Sequence, residues 1–280
     1  MNCAWQAYLN ILPLWMRNEV DQIGKCRLQE LRLRKDRPPG LITDIGVRNL
    51  QRNVTTADLA YCVNAVSKYS PWSATTIERG FITAAGGHRV GICGDVAVVE
   101  GKNSTIRNVT SLCIRVARDF PGIGHESEKL NGSIIIVGSP GRGKTTLLRD
   151  IIRQKSMHGA VGVVDERREI FPTSDGSFCF DTGCATDVLS GCRKSVGVQI
   201  LIRTMNPCWI AVDEITEADD CEGLIRAAWC GVGLLATAHA ESVADFLNRP
   251  VYKPLVESGV FKNVIVMQPN KSWTVERLNI

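Results

Sequence analysis

Two rhythms of apolar and polar residues divide the chain. From residue 133 onward, short unbroken apolar runs recur at 133–137, 161–164, 209–212, 234–239 and 263–267. Runs of this length, rich in Ile, Val and Leu, read as strands buried on both faces. Residues 145–154 instead place Leu147, Leu148, Ile151 and Ile152 at helical spacing. Residues 188–205 read as broadly helical, weakened at the start by Gly191 and Gly197, and 172–183 read as a turn-rich segment. A final strand over 273–278 can pair with 263–267. Strands alternating with helices predict an α/β fold with a parallel sheet.

The earlier half follows a mixed pattern. Residues 4–16 form an amphipathic helix interrupted by Asn10 and Pro13, and the polar residues 18–26 follow it. Leu28, Leu31 and Leu33 then lead into strand period, which ends in a turn over 37–40. Thr55 or Thr56 caps a helix over 57–68 that carries Leu59, Val63 and Val66 on one face. Residues 76–80 lead into two short strands flanking Gly86 and Gly87, a hairpin signal. Further strands are expected at 96–99 and 111–118. Residues 119–132, rich in glycine, proline and charge, separate the halves. The expectation is a smaller α+β domain over 1–125 and a nucleotide-binding α/β domain over 126–280.

With 280 residues, 44% of them apolar, the chain can bury a substantial core. Its net charge of +4 permits contact with nucleic acid or anionic lipid without arguing for either. Eleven cysteines are scattered without a C-x-x-C pair, and the four histidines do not join them. That argues against a disulfide framework or zinc site and for small buried thiols in a reducing cytoplasm. The apolar runs fall short of a membrane span, and residues 4–16 lack the form of a signal peptide.

Candidate chemistry centres on residues 138–145, GSPGRGKT, which fit G-x-x-x-x-G-K-[ST] at every fixed position. A strand precedes them and a helix follows, as a phosphate-binding loop requires. Gly138, Ser139, Pro140, Gly141, Arg142, Gly143, Lys144, Thr145 and Thr146 are the expected ATP-binding set, the Walker A loop. Backbone N–H groups and the helix N-terminus attract phosphate, Lys144 reaches the terminal phosphates, and Thr145 ligates Mg2+. The apolar run 209–212 ends in Asp213 and Glu214, the Walker B pattern. Asp213 is expected to hold the metal and Glu214 to activate the attacking water. Thr237 and His239 close the next strand, where a polar side chain can sense the γ-phosphate. Arg167, Arg168 and Arg203 are the arginine-finger candidates, and the sequence does not choose among them.

Beyond the loop, DERREI (165–170), DVLSGCRKS (187–195), LIRTMNPCWIAVDEI (201–215) and LLATAHA (234–240) resemble the stage III sporulation protein AA family. So do LQELRLRKDRP (28–38), YSPWSATTIERGFITAAGGHRVGICG (69–94) and SLCIRVAR (111–118). The resemblance implies a RecA-like P-loop ATPase akin to the type II and type IV secretion and pilus ATPases. It implies a cytoplasmic homo-hexamer with ATP at subunit interfaces. Such a ring would be docked by a membrane protein at the mother-cell face and would energise a channel to the forespore. It also matches Asp165 and Glu166 to an acidic box, making Glu166 a further catalytic carboxylate, and His239 to a histidine box. Arg168 departs from the small or polar residue usual there, which weakens it as the finger. A nucleic-acid-binding ATPase is the alternative, disfavoured because no aromatics interleave the basic residues at 27–37. A nucleotide-responsive scaffold is another, disfavoured by the presence of Glu214.

Overall fold

The structure, a computed structural model, describes residues 1–67, 80–99, 102–174 and 176–278; the segment 76–79, expected to lead into the hairpin, lies outside them. The chain forms two units, Met1–Asp119 with Thr173–Cys179, and Phe120–Pro172 with Phe180–Ile280.

In the first unit the apolar opening segment is two helices, α1 (Trp5–Asn10) and α2 (Leu14–Arg27). The expected single helix breaks at Pro13, which sits extended at φ −55°, ψ 146°. Proline lacks the N–H a continuous helix needs and starts a new one well. The helix then runs on into the polar stretch, because Met16 and Val20 still give it a buried stripe, until Gly24 at φ +79° breaks it. Strands β1 (Leu28–Arg34), β2 (Gly40–Thr43) and β3 (Gly46–Asn49) follow, then α3 (Thr56–Ser67). Thr55 and Asp58 cap α3 reciprocally: the Thr55 N–H donates to Asp58 at 2.8 Å, and the Asp58 N–H donates to Thr55 Oγ1 at 3.2 Å. Strands β4 (Phe81–Thr83), β5 (Arg89–Val99) and β6 (Lys102–Arg115) complete an antiparallel sheet of order β3-β2-β1-β6-β5-β4. The hairpin at Gly86 and Gly87 is present, and both glycines take positive φ. The separate strand expected at 96–99 is the far half of β5, and the β2–β3 hairpin was not expected. The small hairpin of β9 (Thr173–Ser174) and β10 (Ser177–Phe178) belongs to this unit.

The second unit is built on β7 (Ile134–Val137), β8 (Val161–Asp165), β11 (Thr186–Ser190), β12 (Trp209–Val212), β13 (Gly233–Ala238), β14 (Asn263–Met267) and β15 (Trp273–Arg277). Their order is β11-β8-β12-β13-β7-β14-β15, parallel except for β15, which pairs antiparallel with β14 as its pattern predicts. Helices α4 (Lys144–Ser156), α5 (Lys194–Met205), α6 (Ala218–Trp229), α7 (Val243–Asn248) and α8 (Lys253–Glu257) connect the strands. The expected helix over 188–205 is corrected: residues 186–190 pair in register with 161–165 as an edge strand. Gly191 turns the chain at φ +82° before α5 begins. A short run with Val188 and Leu189 satisfies its backbone in the sheet, and tertiary pairing overrides a weak helical pattern. The glycine-rich segment after residue 119 is fastened to α4. Asp150 accepts the N–H groups of Gly122 and Gly124 at 3.0 and 2.7 Å, and Lys155 Nζ reaches the Leu130 carbonyl at 3.1 Å.

The expectation of buried thiols fails for most cysteines: Cys62 and Cys221 are buried, whereas Cys26, Cys93, Cys184, Cys208 and Cys230 are exposed. The exposed thiols lie in a helix (Cys26), in a strand (Cys93) and in loops and turns (Cys184, Cys208, Cys230), where a small side chain is tolerated without a core position.

Helix α5 rests closely on β8. A Cβ at Gly197 would sit 2.5 Å from Val164 Cγ1 and 2.9 Å from Cys192 Sγ. Gly197→Val is therefore expected to destabilise the second unit by about 1–3 kcal/mol through overpacking. Differential scanning calorimetry should show its unfolding midpoint lowered by several degrees, at roughly 2–4 °C per kcal/mol.

Candidate functional site

In a parallel sheet every connection leaving a strand's carboxyl end emerges on the same side. That edge collects the loops after β7, β8, β12 and β13, and with them most of the residues singled out by motif. The loop after β7 turns on Gly141 and Gly143, at φ +76° and +95°, a region where glycine is unstrained. Gly138 must also be glycine, since a Cβ there would meet Met267 Cβ at 2.8 Å. The loop delivers the chain to the N-terminus of α4, whose free N–H groups favour an anion.

Lys144, 5% exposed, folds back over its own loop. Its Nζ donates to the carbonyls of Gly138 at 2.7 Å and Ser139 at 3.2 Å, and to His239 Nδ1 at 3.0 Å. Burial lowers its pKa, and the charges of Glu214 and Asp213 oppose that fall. An ammonium can only donate, so His239 accepts at Nδ1 and carries its proton on Nε2. From there it donates to Glu214 Oε1 at 3.0 Å, while Arg167 holds Glu214 Oε2 at 3.0 Å. Lys144, His239, Glu214 and Arg167 thus form one continuous polar chain.

Thr145 Oγ1 donates to Asp213 Oδ2 at 2.8 Å. Asp213 Oδ1 accepts from the Thr237 hydroxyl and, at 3.1 Å, from the Glu214 N–H; that N–H also donates to Thr237 Oγ1 at 2.8 Å. Burial pushes the Asp213 pKa up, hydrogen bonds from Thr237 and Thr145 pull it back, and the nearby Glu214 charge adds to the rise. The backbone at Glu214 sits at φ +46°, unusual for a residue with a Cβ. The Tyr252 hydroxyl, which motif reading missed, accepts the His239 N–H at 3.1 Å and lies 3.4 Å from the Ile215 carbonyl.

The remaining candidates fall differently. Ser139, Arg142 and Thr146 are half-buried around the loop, while Pro140 is exposed. Glu166 does not join the Lys144–Glu214 chain. Its Oε2 accepts from Lys194 Nζ at 2.7 Å, in a small cleft also lined by Arg167, Asp213 and Glu214. Asp165 is 1% exposed and shapes the turn, accepting the N–H groups of Glu169 and Phe171 at 2.8 Å each. Arg168 is exposed, at φ +56°. Arg203 is exposed in the last turn of α5, which leads into the start of β12, so it lies at the edge opposite the loop. Lys194 and Asp220 also escaped motif reading. Asp220 has one sequence signal, the Glu217-x-x-Asp220 capping box that opens α6, and Lys194 lies unremarked within the 187–195 run.

The family model described as sporulation stage III, protein AA matches residues 6–276. The chain belongs to that family. Over 278 residues it is 33% identical to the stage III sporulation protein AA of Bacillus subtilis (strain 168), spanning 93% of this chain and 90% of that one. Among solved structures it resembles the ATPase DotB of Legionella pneumophila, with a TM-score of 0.62 at 16% identity over 95% of this chain and 80% of that one. It also resembles the pilus retraction motor PilT with bound ADP, with a TM-score of 0.61 at 14% identity over 92% and 80%. At such identities these likenesses establish fold alone. This AA-family chain has the RecA-like P-loop ATPase fold that the family resemblance implies.

Burial raises the Asp165 carboxyl from its ordinary 3.8 to about 6. The native state therefore holds that proton more tightly than the unfolded chain, and stability falls as pH rises from about 4 to 6. Integrated over that window the loss is about 3 kcal/mol. Asp165→Asn is expected to remove this fall. Asn keeps a single acceptor oxygen for the N–H groups of Glu169 and Phe171, which lowers stability without adding a titrating group, so urea unfolding of both proteins between pH 4 and 7 isolates the slope.

Proposed function

We propose that this AA-family chain is a magnesium-dependent ATPase, the motor of a step in endospore formation. The observation that carries the reading is the convergence of Lys144 and Thr145, Asp213 and Glu214, and Thr237 and His239 from three strand ends into one hydrogen-bonded cluster. Phosphate would lie over the 138–146 loop, where Lys144 can exchange its two backbone carbonyl partners for phosphate oxygens. The Thr145 hydroxyl and Asp213 carboxylate are hard oxygen donors hydrogen-bonded to each other, and that donor chemistry fits Mg2+. When bound, the ion would neutralise charge on the β- and γ-phosphates. Glu214 is the group able to orient and deprotonate the attacking water. His239, linking Glu214 to Lys144, is placed to register whether the γ-phosphate is present. Glu166 contributes a further carboxylate at the rim.

Membership of a sporulation family supports a role between mother cell and forespore, with the motor energising a secretion-like channel. Among the described residues no helix is long and apolar enough to cross a membrane, so attachment would fall to a docking membrane protein. The working form is a cytoplasmic homo-hexamer. Arg203, at the edge away from its own loop, could act as a finger only toward a neighbouring copy, whereas Arg167 and Arg168 stand beside their own site.

Glu214→Gln is expected to lower ATP turnover by about 10²–10⁴-fold, the usual worth of a general base, while leaving ATP binding intact. Steady-state turnover measured against protein concentration, with mass followed by light scattering, should rise cooperatively as hexamers appear. Turnover that survives Glu214→Gln overturns the assignment. A protein that binds ATP, stays monomeric and turns nothing over even with its membrane partner added is instead the nucleotide-responsive scaffold.

A further inference from the structure

Lys194 is the first residue of α5 and is only 6% exposed. The position is unfavourable for a cation on two counts. A helix N-terminus carries partial positive charge, and a buried ammonium loses its hydration. Two carboxylates from different elements offset this. Lys194 Nζ donates to Glu166 Oε2 at 2.7 Å and lies 3.5 Å from Asp220 Oδ2. Glu166 stands in the turn after β8, next to Arg167, the residue that pairs with Glu214. Asp220 stands in the first turn of α6 and accepts the N–H groups of Thr216 and Glu217 at 3.2 and 3.3 Å. Those bonds close the short connection that runs from Glu214 to α6. One buried cation is therefore shared by the loop that presents Glu214 and the loop that presents its arginine.

We propose that Lys194 is a positioning residue of the ATPase site: by drawing Glu166 and Asp220 together it fixes the spacing of the β8 and β12 loops, and with it the direction of Glu214. The inference rests on the ATPase reading above. Without the ammonium, the buried Asp220 carboxylate would face the partly exposed Glu166 carboxylate with no cation between them and repel it. The phosphate loop would be spared, because Lys144 and Thr145 draw their bonds from Gly138, Ser139, His239 and Asp213. Turnover should therefore fall while ATP affinity persists.

The test combines hydrogen–deuterium exchange with steady-state kinetics on the full chain, comparing wild type, Lys194→Met and Lys194→Arg. In Lys194→Met, exchange is expected to quicken about tenfold in peptides covering both 165–169 and 213–220, and to stay unchanged at 138–146. kcat should fall about 10- to 100-fold, as small misplacements of catalytic groups do, with KM for ATP changed less than about threefold. Lys194→Arg, which keeps the charge, should retain most of both properties. Exchange unchanged in either loop or raised throughout the chain overturns the proposal, as does a loss carried by KM alone. Wild-type protein without Glu214-dependent turnover would overturn the ATPase reading instead, and the exchange data would still decide whether Lys194 joins the two loops. Should Lys194→Met not fold, Glu166→Gln approaches the same pair from its more exposed end. Faster exchange at 165–169 is then expected, and its absence overturns the proposal.

Discussion

Asp213 is the interaction on which the site depends. A half-buried carboxylate just past a buried strand is tolerated best when its oxygens are satisfied. Here Thr145 Oγ1 donates to one oxygen, and the Thr237 hydroxyl and the Glu214 N–H donate to the other. Those partners come from the first turn of α4, from β13 and from the residue that follows Asp213 after β12. Desolvation by itself would favour the protonated acid. The hydroxyl donors favour the carboxylate, the form that can serve a divalent cation. Keeping one charge in place thus also ties the ends of β12 and β13 to the start of α4.

The same economy extends to Glu214. Its backbone sits at positive φ, a conformation that costs energy for a residue with a Cβ. The surroundings hold it there: the N–H goes to Thr237 and Asp213, and the next N–H, of Ile215, goes to the Thr237 carbonyl at 2.9 Å. The side chain is then clasped between His239 and Arg167. Each partner is ionic or polar and replaceable, and none locks the carboxylate by apolar packing. Such a group can change partners without the fold repacking around it, as a water-activating carboxylate must.

The parts of this arrangement legible in the sequence were those written in contiguous residues. The 138–145 loop states its own geometry, because glycines at fixed spacing permit one kind of turn. The strand 209–212 followed by two acids likewise places Asp213 and Glu214. Contacts between residues far apart in the chain were not legible. The pairing of Lys194 with Glu166 spans 28 residues and has no periodic signature. Glu166, matched to an acidic box by resemblance, gave no hint that its closest partner would be a lysine at a helix start. The 188–205 segment failed for a related reason. Residues 186–190 are a strand because β8 offers them an unpaired edge, and that edge exists only after the sheet has assembled.

Glycine explains how the buried ion pair becomes possible at all. Helix α5 lies tight on β8 because Gly197 has no Cβ to strike Val164. Helix α6 lies tight on α5 because a Cβ at Gly223 would stand 3.2 Å from Ser195 Cα, the residue beside Lys194. Asp220 is three residues before Gly223, on the same helical face. The close approach at Gly223 is what carries its carboxylate to Lys194, and the close approach at Gly197 is what carries Lys194 to the turn after β8. Two absent side chains in the packing of helices therefore set the reach of a lysine at the edge of the site. A larger residue at Gly197 would push α5 off β8, and one at Gly223 would ease α6 away from α5 by tenths of an ångström, lengthening the contacts of Lys194 with its two carboxylates.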